Sequence, residues 1–104
     1  MLSLNLDTPK DKQDKLAQKF RELRLFRNLR RETLASLSGV PEPSIKRFES
    51  TGEISLRSLL SLAHALQAAD EFDHLFPLPV ARSLDEIEAQ EKLRAGSLRR
   101  RGRK

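Results

Sequence analysis

Apolar residues recur every three or four positions through most of this chain, and the polar residues between them mark where each helix starts and stops. Thr8-Pro9-Lys10-Asp11 reads as a helix start. Threonine caps, proline fits the first turn, and aspartate suits the positive end of the helix dipole. A first helix is predicted over 9–27, with Leu16, Phe20 and Leu23 on one face and Ala17 beside them. Asn28 is a plausible left-handed stop. A short second helix follows over 31–37, turning Leu34, Ala35 and Leu37 inward, and Gly39 permits a positive φ after it.

A third helix is predicted over 42–50. Pro41 and Pro43 lie at or before its first turn, where no intrahelical N–H bond is lost. Ile45 and Phe48 face inward, and Thr51-Gly52 ends the helix. Ser55 caps a fourth helix carrying Leu56, Leu59, Leu60, Leu62, Ala63 and Leu66. A fifth, short helix is predicted over 70–76 with Phe72, Leu75 and Phe76 apolar; Pro77 and Pro79 close the compact part. Ser83-Leu84-Asp85-Glu86 is a capping box that opens a further helix to about Leu93. Its thin apolar stripe needs a partner surface. At the front, Leu2, Leu4 and Leu6 alternate with polar residues and read as a frayed arm rather than a strand.

The chain therefore reads as all-α: five helices, a C-terminal extension with an extra short helix, and a basic disordered tail. The expected divisions are an arm at 1–8, a compact domain at 9–77, an extension at 78–96 for dimer or partner contact, and the tail at 97–104. At 104 residues there is room for one domain. Its helical part is near the lower size at which a core folds unaided, so dimerisation would help.

Charge changes this picture. The net charge of +5 is unevenly spread. Lys10 to Arg57 holds twelve basic residues against seven acidic, Ser58 to Glu91 one against seven, and Lys92 to Lys104 seven against none. A basic front half suits a phosphate backbone, and an acidic half must face elsewhere. The tail either adds phosphate contacts or is an ordinary solvated charge block. With no cysteine, disulfides and thiolate metal sites are excluded. The first residues show neither a basic start nor a long apolar run, and no stretch has the ~20 apolar residues of a membrane span. A cytoplasmic protein is expected.

The informative tract is Arg31-Glu-Thr-Leu-Ala35-Ser-Leu-Ser-Gly39-Val-Pro-Glu-Pro-Ser-Ile45-Lys-Arg-Phe48. A small residue at 35 lets two helices cross closely, glycine at 39 permits a tight turn, and β-branched Ile45 pins the second helix to the core. That second helix then exposes its outer face at a size the DNA major groove admits. Together with Phe20-x-x-Leu23-Arg24, Leu29, Phe48-Glu49 and Leu56-x-x-Leu59-Leu60-x-Leu62-Ala63-x-Ala65-Leu66, this tract resembles the lambda-repressor and Cro-like (XRE-type) helix-turn-helix regulators over 16–76. The run Phe48-Glu49-Ser-Thr-Gly52-x-Ile54-Ser55-Leu56 looks most like the HipB-type subgroup, whose members repress their own operons and bind HipA-type kinase toxins.

The resemblance implies a bacterial, nucleoid-associated regulator of double-stranded DNA, homodimeric on a palindromic operator. It places Glu42, Pro43, Ser44, Lys46 and Arg47 at the groove. Arg47 is the strongest base reader, because a guanidinium matches the O6/N7 pair of guanine. Lys46 reaches either a base or a phosphate. Glu42 accepts from cytosine N4, lowers non-specific affinity, or satisfies the helix dipole as a first-turn acid. Prolines at 41 and 43 depart from the family's usual polar residues and shift weight towards shape readout. Arg27, Arg30, Arg31 and Arg57 are phosphate candidates, with solvated surface arginines as the plain reading of each. Arg24 and Glu49 are implied to form a partly buried structural ion pair. The dimer contact is expected around Phe72, Leu75, Leu78 and Val80. Leu25 and Phe26 read as extra core, with a partner patch as the alternative.

Enzyme chemistry is not expected. His64 and His74 lie in different helices without a matched acid, and no phosphate-cradling glycine loop or metal-ligand cluster occurs, so no metal or cofactor is expected. The competing reading is a protein-interaction module, an antitoxin or adaptor that binds a partner through the acidic half. Single-strand RNA recognition is disfavoured: there is no Tyr or Trp, and the five Phe are mostly assigned to the core.

Overall fold

The structure, a computed structural model, describes residues 7–80 and 82–102, with side chains through Gly96. The leucine alternation at 2–6 lies outside the described residues. Among the described residues five α-helices and one 3₁₀ turn follow in order: α1 Pro9–Phe26, α2 Arg31–Ser38, α3 Glu42–Thr51, α4 Leu56–Ala65, the 3₁₀ turn Ala69–His74, and α5 Leu84–Gly102. Among the described residues there is no strand, and no helix is long and apolar enough to cross a membrane. The chain divides into two compact units, Met1–Asp73 and His74–Lys104.

Local chemistry sets the helix ends of the first unit. Thr8 Oγ1 accepts from Asp11 N at 3.1 Å while Asp11 Oδ2 accepts from Thr8 N at 3.0 Å, which closes a capping box. Ser55 Oγ accepts from Ser58 N at the start of α4. Asn28 and Gln67 adopt φ of 56° and 60° just beyond α1 and α4. In both places the next amide bonds back into the helix, Leu29 to Arg24 O and Ala68 to Ala63 O, as in a Schellman ending.

Gly39 and Gly52 end α2 and α3, both with φ of 77°. Gly39 has open space around it, whereas a Cβ on Gly52 would lie 2.9 Å from Gln13 Cβ and 3.0 Å from the Gln13 carbonyl carbon. Gly52 therefore serves two ends: a left-handed turn, and close approach to α1. That approach is reinforced by Gln13 Nε2, which donates to Gly52 O at 3.2 Å, and by Lys10 Nζ, which donates to Thr51 O. The first turns of α1 thus satisfy the last carbonyls of α3.

The core joins Ala17 and Phe20 of α1, Leu34 of α2, Val40 between α2 and α3, Ile45 and Phe48 of α3, and Leu59, Leu62 and Leu66 of α4 and its end. The Phe20 and Phe48 rings meet edge to face with centroids 5.2 Å apart. Leu23, Leu29, Ala35, Ile54 and Phe72 pack around this cluster. α3 packs against α1 and α2, and α2 against α4.

Several apolar residues predicted inward are exposed. Leu16, Leu37, Leu56 and Leu60 lie at the margins of their helices' buried stripes. In α1 the buried positions are Ala17, Phe20 and Arg24; Arg24 occupies the position where an aliphatic residue would continue the stripe. Leu25 and Phe26 are also exposed rather than core, because α1 turns them off that stripe. The predicted fifth helix is a 3₁₀ turn over Ala69–His74. Phe72 alone anchors it, and Leu75 and Phe76 fall beyond it, exposed.

In the second unit the helix expected to end near Leu93 continues to Gly102, where the sequence suggested disorder after Gly96. Ser83 Oγ accepts from Glu86 N at 3.2 Å, and Glu86 accepts from Arg82 N. From this cap, good helix formers carry the backbone through Gly96. Gln90 Nε2 donates to Pro79 O at 2.6 Å and ties the 78–80 segment alongside α5.

Candidate nucleic-acid interface

α3 turns two faces in opposite directions. Ile45 and Phe48 are buried completely or nearly so. Pro43, Lys46, Arg47 and Ser50 recur at three- and four-residue spacing on the opposite side, and all are exposed. Glu42 is exposed at the first turn, and Ser44 is half-buried at the edge. Of the five residues predicted to read bases, four are exposed. Pro43 supplies no amide and no polar side chain, so hydrogen bonding from this face rests on Glu42, Ser44, Lys46 and Arg47. Ser50 belongs to the same stripe and was not anticipated; its hydroxyl donates to Arg47 O at 3.1 Å.

Arg47 is held rather than loose. Its Nη2 lies 3.0 Å from Glu53 Oε1 and 3.5 Å from Oε2. The connection is doubled through Thr51, whose hydroxyl donates to Arg47 O at 2.7 Å and accepts from Glu53 N at 3.1 Å. The Arg47 side chain remains 69% exposed, so the pair screens little of its guanidinium from a ligand. The residue six positions on that restrains Arg47 sits across the Gly52 turn, and helical spacing in the sequence gives no hint of it. Lys46 has no ion-pair partner among the described residues.

Behind this face lies a buried charge network. Arg24 Nε and Nη2 fork onto Glu49 at 2.6 and 3.0 Å, and Arg24 Nη1 donates to Leu29 O at 2.8 Å. Arg31 Nε reaches the same carboxylate at 3.0 Å. The Arg24 and Glu49 side chains are 6% and 2% exposed, Arg31 34%. One carboxylate thus joins α1, α2 and α3, and the network carries one unit of positive charge in excess. No buried side-chain nitrogen or oxygen lacks a hydrogen bond among the described residues, so each buried polar atom of this network has a partner. Arg31, predicted as a phosphate ligand, spends its Nε here, and its side chain remains one-third exposed.

The other arginines disperse. Arg30 and Arg31 border a shallow crevice with Arg24, Glu32 and Glu42, at the starts of α2 and α3. Arg30 is the residue before α2 and makes no side-chain cap bond there. Arg57 lines a separate groove with Leu37, Leu60 and His64. Arg27 is exposed just past α1. Of the predicted dimer residues, Phe72 packs against the core of its own unit, while Leu75, Leu78 and Val80 are exposed. Among the described residues no group of His, Cys, Asp and Glu is arranged to hold a metal ion. Neither a protein-family model nor a curated protein sequence matches this chain.

Proposed function

We propose that this protein is a sequence-specific duplex-DNA-binding regulator of the lambda-repressor and Cro-like helix-turn-helix class, acting as a homodimeric repressor of its own operon. The observation that carries the proposal is the exposed stripe of α3, with Lys46 and Arg47 outward on a helix whose opposite side is locked by Ile45 and Phe48. An α-helix presented in this way matches the width and donor–acceptor pattern of the major groove. Arg30, Arg31, Arg27 and Arg57 supply phosphate contacts around it, and two α3 helices one helical turn of DNA apart read a palindrome. Within the class, the HipB-type subgroup is the nearest reading. It makes the chain the DNA-binding half of a toxin–antitoxin pair.

A second reading rests on a different surface. The His74–Lys104 unit exposes Leu75, Phe76, Leu78, Val80, Leu84 and Leu93, an apolar series that suits a protein partner. An antitoxin or adaptor would use this unit to hold a HipA-type kinase.

Selection from random duplex DNA tests the first reading. A symmetric motif should emerge, bound with an affinity that falls steeply with salt. Retention of duplex with no enriched motif would reduce the protein to a non-specific binder and overturn the proposal.

A further inference from the structure

We propose that α5 pairs antiparallel with the α5 of a second copy of this chain. The proposal rests on the homodimer part of the reading above and is independent of DNA binding.

α5 is 19 residues long, yet none of its described residues is buried and only Gln90 is half-buried. Leu84 and Leu93 are more than half exposed, and Ile87 is 42% exposed. Most helix stability in proteins comes from packing one apolar face, and α5 buries none of its described side chains. An open groove beside α5, walled by Leu78, Val80, Ala89 and Leu93, adds apolar surface along the same helix.

Charge identifies the occupant. Asp85, Glu86, Glu88 and Glu91 fill the first half of α5 with no base among them. From Lys92 to the end of α5 the sequence holds Lys92, Arg94, Arg99, Arg100 and Arg101 with no acid. Dipole complementarity explains acids in the first turn and bases in the last, but its effect fades within one turn. Glu88, Glu91 and Lys92 lie mid-helix, so the segregation exceeds what the dipole explains. Nor are these charges used internally: Asp85, Glu88, Glu91, Lys92 and Arg94 have no ion pair or hydrogen bond from their side chains among the described residues.

A parallel partner would set acid on acid and base on base. An antiparallel copy sets each acidic half against a basic half, about a centre between Glu91 and Lys92. The identical chain is therefore its own charge complement, which a two-fold contact between copies requires.

Sedimentation of the full chain, without DNA, tests the pairing. The wild type should be a dimer at micromolar concentration, with a dissociation constant that weakens at least tenfold from low to high salt. Two variants, Lys92→Glu/Arg94→Glu and Glu88→Lys/Glu91→Lys, should each be monomeric alone and should dimerise when mixed. Orientation is read from a spin label on Asp85→Cys, placed without interference because the chain has no cysteine. Antiparallel pairing about that centre separates the two labelled backbone positions by about 20 Å along the helix axis. Parallel pairing leaves them about 10 Å apart across it. A monomeric wild type would overturn both this pairing and the homodimer reading. A dimer indifferent to the charge variants, or one with the short label distance, would overturn only the α5 pairing and leave the contact to Leu75, Leu78 and Val80.

Discussion

Removing the Glu49 carboxylate is the most informative perturbation of this fold, because one side chain ties three helices. Glu49→Ala leaves Arg24 buried with a single hydrogen bond, the 2.8 Å contact to Leu29 O. Stranding a buried charge costs roughly 3 to 5 kcal/mol. Arg24→Ala is milder, since Glu49 retains Arg31 at 3.0 Å; the expected loss is about 2 to 3 kcal/mol, between an intact buried pair and a single charged hydrogen bond. Arg31→Ala removes a contact that is one-third exposed and should cost about 1 kcal/mol or less. The total stability of a unit of this size is of the order of 4 to 11 kcal/mol, so Glu49→Ala leaves little in reserve. A loss of ~3 kcal/mol lowers Tm by about 12 to 24 °C at this chain length. Urea denaturation followed by far-UV circular dichroism, with linear extrapolation, resolves the three variants. The predicted order of damage is Glu49→Ala, then Arg24→Ala, then Arg31→Ala. The reasoning fails if Glu49→Ala lies within 0.5 kcal/mol of the wild type, or if Arg31→Ala costs as much as Glu49→Ala.

The two left-handed glycines should behave differently in the same assay. Gly39→Ala meets open space and should cost only the ~1 to 2 kcal/mol of forcing an L-residue into that conformation. Gly52→Ala adds a clash with the Gln13 backbone and should cost clearly more; equal losses would remove the close-approach argument. Arg47→Ala should weaken binding to the selected operator by about 1 to 3 kcal/mol and to random duplex much less, as measured by fluorescence anisotropy. Equal losses would make Arg47 a backbone contact. Glu53→Ala, which releases Arg47 from its only carboxylate among the described residues, should raise affinity for both duplexes; a drop would mean that Glu53 orients Arg47 for binding. Deleting Ser97 to Lys104 removes five basic residues. Binding should weaken on every sequence, and more on the palindrome because Arg99 to Arg101 belong to the proposed α5 pairing, with the salt slope on random duplex shallower by up to about 4 to 5; unchanged binding to random duplex would remove the phosphate role of this segment.

The parts of this fold that are legible in the sequence are those decided within a few residues. Thr8 with Asp11, Ser55 with Ser58, and glycines at 39 and 52 set helix boundaries through bonds spanning three or four positions, and the predicted limits of α1 to α3 and the start of α4 lie within one residue of the observed ones. The direction of Lys46 and Arg47 follows in the same way, since Ile45 and Phe48 have to point into the core. What escaped is decided by tertiary contact. Periodicity places Leu16, Leu37 and Leu60 on an apolar stripe but does not say how wide a stripe the neighbouring helices cover. Arg31 lies eighteen residues from Glu49, and Arg47 six from Glu53, at spacings that no single helix makes. Val40 looks like a linker residue and is core, because the turn after Gly39 folds it back beneath α2 and α3. Phe72, Leu75 and Phe76 suggest a helix where a 3₁₀ turn stands at Ala69–His74, because only Phe72 has a surface to cover.

The central claim is that the outward stripe of α3 reads base edges, and an altered-specificity selection tests it most directly. Random duplex selection run in parallel on the wild type and on Arg47→Gln should yield two motifs that differ at a single symmetric position in each half-site. Guanine is expected there for arginine and adenine for glutamine. Identical motifs from the two proteins, or no motif from either, would contradict the account.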